Sequence, residues 1–274
     1  MPELKPADQR PDGWDGATSN YEDTVERITA RFVPKLFAHT SVGPDTKVLD
    51  IAAGTGAVSL AAARVGAAVI ATDFSPNMVE RLRDRVATEG LANVTVEVMD
   101  GQALDLPDGG FDLVTCNFGV IFFPDPSAGF REMHRVLRPQ GVAVLTTWGP
   151  PARTELAALL GSAVKEVVPD FEFPAPLPGQ LPFADPEAVS DALRDAGFGT
   201  VEVDTSSETW TLADASKIAD LMRTNPGRAR MQGLLTPEQD EAITQTAVRI
   251  LRDRFGDAPP SLSMEAHVFA ATKP

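Results

Sequence analysis

The chain has 274 residues, 43% of them apolar, and carries 39 acidic against 24 basic side chains, a net charge of −15. That size and apolar content support one large buried core, while the acidic excess opposes binding to phosphate backbones or anionic membranes. No apolar run reaches the roughly 18 residues that a membrane helix needs, so neither nucleic acid nor membrane insertion is expected. The single cysteine, Cys116, leaves no internal disulfide and no cysteine-based zinc site. The opening residues Pro2, Glu3, Lys5, Asp8, Arg10 and Asp12 lack the apolar centre of a signal peptide, and a cytoplasmic protein without a metal is expected.

Residues 1–13, rich in Pro, Asp and charge, are expected to be mobile. Trp14 and Tyr21, the latter the only tyrosine, precede a helical pattern from about Glu22 to Phe37. They serve either as packing under a terminal helix or as cover for a ligand. Gly43-Pro44-Asp45 marks a turn, and Val48-Leu49-Asp50-Ile51 then reads as a short apolar strand running into Ala52-Ala53-Gly54-Thr55-Gly56 and a helix from about residue 57 to 65. Glycines at 54 and 56 let the chain turn sharply and the backbone approach a ligand, with unpaired N–H groups at the helix start beyond. The same pair also makes an ordinary strand-to-helix turn.

From there strand and helix alternate, which argues for a parallel sheet with helices on its faces. Strand Ala68–Thr72 ends in Asp73; Ser75-Pro76 caps and opens a helix over Asn77–Glu89 that Gly90 stops. Strand Val94–Val98 ends in Asp100, strand Phe111–Cys116 follows the turn Pro107-Asp108-Gly109-Gly110, helix Ala128–Leu137 closes at Pro139-Gln140-Gly141, and strand Val142–Thr147 ends at Trp148. Beyond Trp148 the texture changes. Helices are expected at 151–168, 185–196, 214–224 and 237–255, a Pro- and Phe-rich stretch at 169–184, and late strands at Val201–Val203 and Met264–Thr272. The helical and Pro-rich segments read as a lid over the strand ends, within one domain.

In an open parallel sheet, ligands lie outside the carboxyl ends of the strands where their order reverses. Asp50, Asp73 and Asp100 all fall at such ends. A carboxylate at Asp73 suits the paired hydroxyls of a ribose, and one at Asp100 suits an exocyclic amine such as that of adenine. Each could instead cap the next helix or turn.

Together, Asp50-x-Ala52-x-Gly54-x-Gly56, Asp73 within Ala71-Thr72-Asp73-Phe74-Ser75, Asp100-Gly101-Gln102-Ala103 with Leu106-Pro107, Phe111-Asp112-Leu113-Val114 and Leu137-Arg138-Pro139-Gln140-Gly141 resemble the class I S-adenosylmethionine-dependent methyltransferases. The resemblance is to the small-molecule branch that contains menaquinone- and ubiquinone-pathway enzymes. It runs from about Tyr21 to Trp148 and resumes at Leu193-Arg194-Asp195-Ala196-Gly197-Phe198 and the last strand. Ala52 and Gln140 depart from the family's glycines. The resemblance implies an α/β fold: a Rossmann-like, seven-stranded, mostly parallel sheet with helices on both faces. Around it would lie an N-terminal helical arm at 1–42, a cofactor-binding core at 43–150, lid insertions at 151–192 and 207–258, and closing strands at 193–206 and 259–274.

It also implies residue roles. Ala52, Gly54 and Gly56 would line the methionine moiety of S-adenosylmethionine, Asp73 would bind the ribose, Phe74 and Met78 would flank the adenine, and Asp100, Gly101 and Gln102 would hold its edge. Asp50 would brace the loop. Trp14 and Tyr21 would close over the methionine end, and Tyr21, Asn117 and Phe118 would stand nearest the chemistry. Trp14, Phe118, Phe122, Trp148, Phe171 and Phe183, with Phe123 and Phe173 as further candidates, would meet an apolar, aromatic or prenylated acceptor, or simply pack the lid.

Methyl transfer from a sulfonium, which leaves S-adenosylhomocysteine, is an in-line displacement that positioning and water exclusion can drive, so a general base is optional. His39, His134 and His267 read as packed or solvated rather than catalytic. Unless a lid carboxylate such as Asp170 or Glu172 serves, the acceptor is expected to be nucleophilic already. C-methylation of a prenyl, terpenoid or indole-type natural product and O- or N-methylation of a phenol or amine stay open, as does a homo-oligomer joined through the N-terminal arm. A nicotinamide-dependent oxidoreductase is the rival class, since Gly54-x-Gly56 with Asp73 also suits a dinucleotide. Against it stand Ser59 at the third-glycine position and the lack of a Ser/Tyr/Lys hydride-transfer set. A cofactor-binding interaction protein without catalysis is the third reading.

Overall fold

Alternating apolar strands and capped helices assemble into one twisted sheet, seen in a computed structural model that describes residues 7–14, 20–173, 181–224 and 234–274. After 3₁₀ turns at Ala7–Gln9 and Pro11–Trp14, the chain rises as α1 (Val25–Thr29), a 3₁₀ turn (Ala30–Phe32) and α2 (Val33–Phe37). The single helix expected over 22–37 is therefore broken. Pro34 has no N–H to offer the Ala30 carbonyl, which instead accepts from Val33 in the tighter turn. The mobility expected of residues 1–13 lies partly outside the described residues; 7–14 are folded onto the core through the buried Trp14, whose indole N–H donates to the Asp8 carbonyl at 3.1 Å.

The sheet core follows as β1 (Lys47–Ile51), α3 (Ala57–Arg64), β2 (Ala68–Asp73), α4 (Pro76–Glu89), β3 (Val94–Val98), β4 (Phe111–Asn117), α5 (Pro126–Val136) and β5 (Leu137–Trp148). The remaining elements are α6 (Glu155–Val167), α7 (Pro186–Asp195), β6 (Thr200–Thr211), α8 (Ile218–Thr224), α9 (Pro237–Phe255) and β7 (Ser261–Thr272). One local device starts several helices: an oxygen-bearing cap followed by proline. Ser75 accepts from Met78 N, Asp125 from Ala128 N, Asp185 from Glu187 N and Ala188 N, and Thr236 forms a reciprocal capping box with Gln239.

The strand order is β3-β2-β1-β4-β5-β7-β6, parallel except for β7, which runs antiparallel between β5 and β6. The order thus reverses between β1 and β4, with Gly54 above the switch point. The expected strand at 201–203 is in fact twelve residues long, because β6 pairs with β7 along its whole length. As an edge strand it shows mostly polar side chains to solvent, so its period of apolar residues is nearly silent. The apolar core lies on both sheet faces, around Phe130, Met133, Leu145 and Phe269 on one and Phe32, Leu36, Val144 and Val268 on the other. A third cluster joins α6, α8 and α9 to the far end of the β6–β7 pair through Leu159, Trp210, Ile218, Leu251 and Met264, and this roofs the strand ends.

Candidate active site

The roof, the N-terminal segment and the carboxyl ends of β1, β2, β4 and β5 enclose a cavity of about 650 Å³. Beneath its floor lies Asp50, the penultimate residue of β1. That carboxylate is buried and accepts from Ser59 Oγ at 2.5 Å and Thr115 Oγ1 at 2.8 Å, tying the start of α3 to β4. Burial pushes its pKa up to about 6 against the pull of those hydroxyls. Asp50 does not line the cavity; it braces the turn.

Above it the turn reaches left-handed backbone at Ala52, Gly54 and Gly56. Ala52 and Gly54 line the cavity, and a Cβ on Gly54 would stand 3.5 Å from the Tyr21 ring. Gly56 does not. A side chain there would press into Leu82 on α4, so this glycine serves helix packing rather than ligand contact. Gly101 is likewise absent from the lining, because its α-carbon is wedged against Ile51 and Phe123.

Asp73, at the end of β2, aims its carboxylate at this turn. Its Oδ2 accepts from Gly54 N at 2.8 Å and its Oδ1 from Ser75 N at 2.9 Å, and burial raises its pKa to about 6 against those bonds. Phe74 and Met78 line the wall beside it. Asp100 Oδ1 accepts from both the backbone and side-chain nitrogens of Gln102 at 2.9 Å, and Gln102 Oε1 accepts from Asp125 N, so the two residues are fixed to the start of α5.

Phe122, expected at the acceptor, and Trp14, expected there and over the methionine end, both stand beside Phe74 and Met78. They pack edge-to-face at 4.9 Å and share a cluster with Met78, Phe74 and Tyr21. Trp14 and Tyr21 both line this chain's own cavity. Tyr21 is held far above the ordinary phenol pKa, first by burial and then by Asp73 and Glu26, so its hydroxyl stays protonated as a donor.

The arm is locked down by charge. Glu26 pairs with Arg85 at 2.7 Å and accepts from Thr55 Oγ1, while Arg85 donates to the Thr55 carbonyl at 2.6 Å; Glu22 pairs with Arg81 at 2.5 Å. Nothing in the local sequence marks these charges, because helix-surface Glu and Arg are common everywhere.

The opposite end of the cavity is apolar. Phe118 stacks on Trp148 with ring centres 3.9 Å apart and 25° between planes, backed edge-on by Phe32. Val25, Ile28, Leu156, Leu160, Leu221 and Met264 complete this end, and Phe183 joins from the α7 side. Phe118 adopts a left-handed φ of 61°, which costs a non-glycine residue about 1–2 kcal/mol. Burial of its ring, roughly 2–3 kcal/mol, outweighs that cost.

Phe171 is buried in the roof cluster, and Phe173, largely exposed, packs on it from outside; neither lines the cavity. Asp170 and Glu172 are solvent-exposed and do not line the cavity, so neither reaches the acceptor end. Of the histidines, His134 packs edge-on to Phe198 and against Gly197, His39 lies beside Asp204, and His267 is buried in β7 with Nδ1 3.0 Å from Thr205 Oγ1. None of the three lines the cavity. The aliphatic lid residues escaped the sequence reading because Leu and Met at helical spacing look the same whether they face a core or a ligand.

The Methyltransferase domain family matches residues 48–141, which span β1 to the start of β5. Nocamycin O-methyltransferase of Saccharothrix syringae is 34% identical over 79% of this chain and 81% of its own, and demethylmenaquinone methyltransferase of Deinococcus radiodurans 33% identical over 56% and 68%. An uncharacterized protein of Mycobacterium tuberculosis is 39% identical over 48% of each chain, so the matched part spans about half of that relative's length. Among solved structures, the YcgJ protein of Bacillus subtilis superposes with a TM-score of 0.59 over 89% of this chain and 98% of its own at 18% identity. The cyclase SpnF does so at 0.56 over 89% and 80% at 20% identity. A buried acid at the end of β2, a glycine turn at the switch point and one roofed cavity are the frame of a nucleoside-cofactor transferase. This chain belongs to the class I S-adenosylmethionine-dependent small-molecule methyltransferases.

Proposed function

We propose that the chain transfers a methyl group from S-adenosylmethionine to an uncharged, apolar small molecule. The single cavity that is carboxylate-lined at one end and aromatic at the other carries this reading. The residues fit the cofactor: Asp73 offers a buried acceptor for a ribose diol, the bare Gly54 leaves room beneath the Tyr21 ring, and Phe74 and Met78 bound a flat slot beside Asp100. The cofactor, when bound, supplies an electrophilic methyl on a sulfonium centre. The chain's part is to orient and to exclude water. Tyr21 and Trp14 cover the cofactor end, Phe118 and Trp148 present an aromatic face to the acceptor, and the lid leucines keep that end dry.

No His, Lys or Arg lies among the described lining residues, and the lining carboxylates are Asp73 and Asp100 at the cofactor end and Asp8, whose carbonyl is bonded to Trp14 at that same end. An acceptor that is nucleophilic without a base at its side fits such a wall: an acidic phenol or enol, or an electron-rich aromatic carbon. The names of the relatives, an O-methyltransferase and a quinone-precursor methyltransferase, support both outcomes, and secondary metabolism agrees with the first. We read the chain as one catalytic domain, with 43–150 holding the cofactor and 151–192 and 207–258 forming the lid. Calorimetric titration with S-adenosylhomocysteine, with NADH as control, is the first test, followed by incubation with S-adenosylmethionine and a panel of naphthols, reduced naphthoquinones and enols read by a 14 Da mass gain. Binding of S-adenosylhomocysteine alone is expected; binding of NADH instead would sink the assignment.

A further inference from the structure

The last residue of β4 and the opposite position of β5, Asn117 and Thr146, are register partners in the parallel ladder. Their side chains are linked as well. Thr146 Oγ1 donates to Asn117 Oδ1 at 2.8 Å and accepts from the Phe118 backbone N–H at 2.9 Å. Asn117 Nδ2 in turn donates to the Thr29 carbonyl at 3.1 Å, at the end of α1. Both functions of the Thr146 hydroxyl are used, and the residue is fully buried. Asn117 lines the cavity, and because its amide is engaged on both sides it also acts as a brace. Two residues on, on the same face of β5, Trp148 stacks against Phe118. One strand therefore grips Phe118 twice, by its backbone through Thr146 and by its ring through Trp148.

The grip matters because Phe118 is in left-handed backbone and Gly119 beside it is crowded by Ala52 and Cys116. Backbone in such a sparsely populated region persists only where its surroundings hold it, and the Thr146 hydrogen bond is one of those holds. We infer that Thr146 is a positioning residue that sets the aromatic wall of the acceptor end by holding the Phe118 turn, and through Asn117 couples that wall to the N-terminal cover at Thr29. The inference rests on the reading of Phe118 and Trp148 as the acceptor wall. Thr146 touches neither cofactor nor acceptor in this scheme, since it is absent from the cavity lining.

The test compares Thr146→Val, which keeps shape and removes the hydroxyl, with Thr146→Ser, which keeps the hydroxyl. In isotope-labelled protein saturated with S-adenosylhomocysteine, exchange of the Phe118 amide and the ring-current-shifted resonances of Trp148 are followed by NMR, and 1-naphthol binding by calorimetry. Thr146→Val is expected to speed Phe118 exchange by roughly tenfold or more, shift the Trp148 resonances and weaken 1-naphthol several-fold, with S-adenosylhomocysteine affinity unchanged. Thr146→Ser should restore all three. Unchanged exchange, resonances and naphthol affinity in Thr146→Val overturn the inference. Failure of the wild type to bind 1-naphthol overturns instead the acceptor-wall reading beneath it. Should Thr146→Val not fold, Thr146→Ser decides: lost protection of Phe118 in that variant would assign the role to the methyl group and refute it.

Discussion

Asp73 illustrates how one carboxylate is tuned by its surroundings. The backbone N–H groups of Ser75, Gly54 and Phe74 favour its ionised form, yet burial wins and the pKa rises to about 6. Accepting two ribose hydroxyls requires the anion, so affinity for S-adenosylhomocysteine should be constant above about pH 7 and fall on acidification through pH 6, approaching tenfold per unit below it; a flat calorimetric profile from pH 7.5 to 5 would exclude the role. The same displacement has a stability consequence. Because the folded-state pKa lies above the unfolded one, the folded protein binds more protons between about pH 4 and 6, and the contribution of this site to stability falls as pH rises through that window. Asp73→Ala should weaken cofactor binding by about 2–4 kcal/mol, and Tyr21→Phe should lower turnover with the fold intact. The two glycines of the turn divide their labour: Gly56→Ala, strained at a φ of 99° and pressed on Leu82, should cost about 1–2 kcal/mol in thermal stability while leaving cofactor affinity nearly unchanged. At this scale Asp73 and Gly54 were legible because few residue types can do their work. Gly56, Gly101 and Phe171 were misplaced because a glycine or phenylalanine reads alike facing a ligand or facing a neighbour.

Among the elements, the N-terminal segment is held by apolar burial of Trp14, Ile28, Phe32 and Leu36 and by charge as well. Glu26–Arg85 and Glu22–Arg81 fasten it to α4. The first pair is well shielded, with side-chain exposures of 12% and 22%, and removing one partner leaves the other poorly solvated. Glu26→Ala should therefore speed dissociation of S-adenosylhomocysteine roughly tenfold, corresponding to about 1.4 kcal/mol of lost closure, and stopped-flow tryptophan fluorescence of Trp14 would record it. An unchanged off-rate would mean that the arm does not gate the cofactor. The cap of α4 was read directly from Ser75-Pro76; the same device at Asp125, Asp185 and Thr236, each also followed by proline, was passed over. The break at Ala30–Phe32 needed Pro34 to be weighed against the helical period, and β6 was too polar to announce its length.

The whole molecule sets the charge of what can enter. A net charge of −15 repels anions at long range, and within the cavity no described lining residue offers a cation to receive one. Matched acceptors should thus separate sharply: 1-naphthol methylated or at least bound, 1-naphthyl phosphate neither, with turnover of the phosphate sinking the idea. What the sequence by itself determined is the class of fold and the cofactor end, because a strand-turn-helix motif and an acid at the next strand end act through local backbone geometry and lie within about 25 residues of each other. At the apolar end the sequence pointed to Phe118, Trp148 and Phe183, but the aliphatic wall they meet was set only by tertiary structure. Residues as distant as Ile28, Phe118, Trp148, Leu221 and Met264 meet there because β7 inserts antiparallel beside β5 and carries the roof back over the strand ends. Their side chains bear no local mark of that meeting, since hydrophobic burial is non-directional and the same leucine or methionine satisfies it against a core or against a substrate.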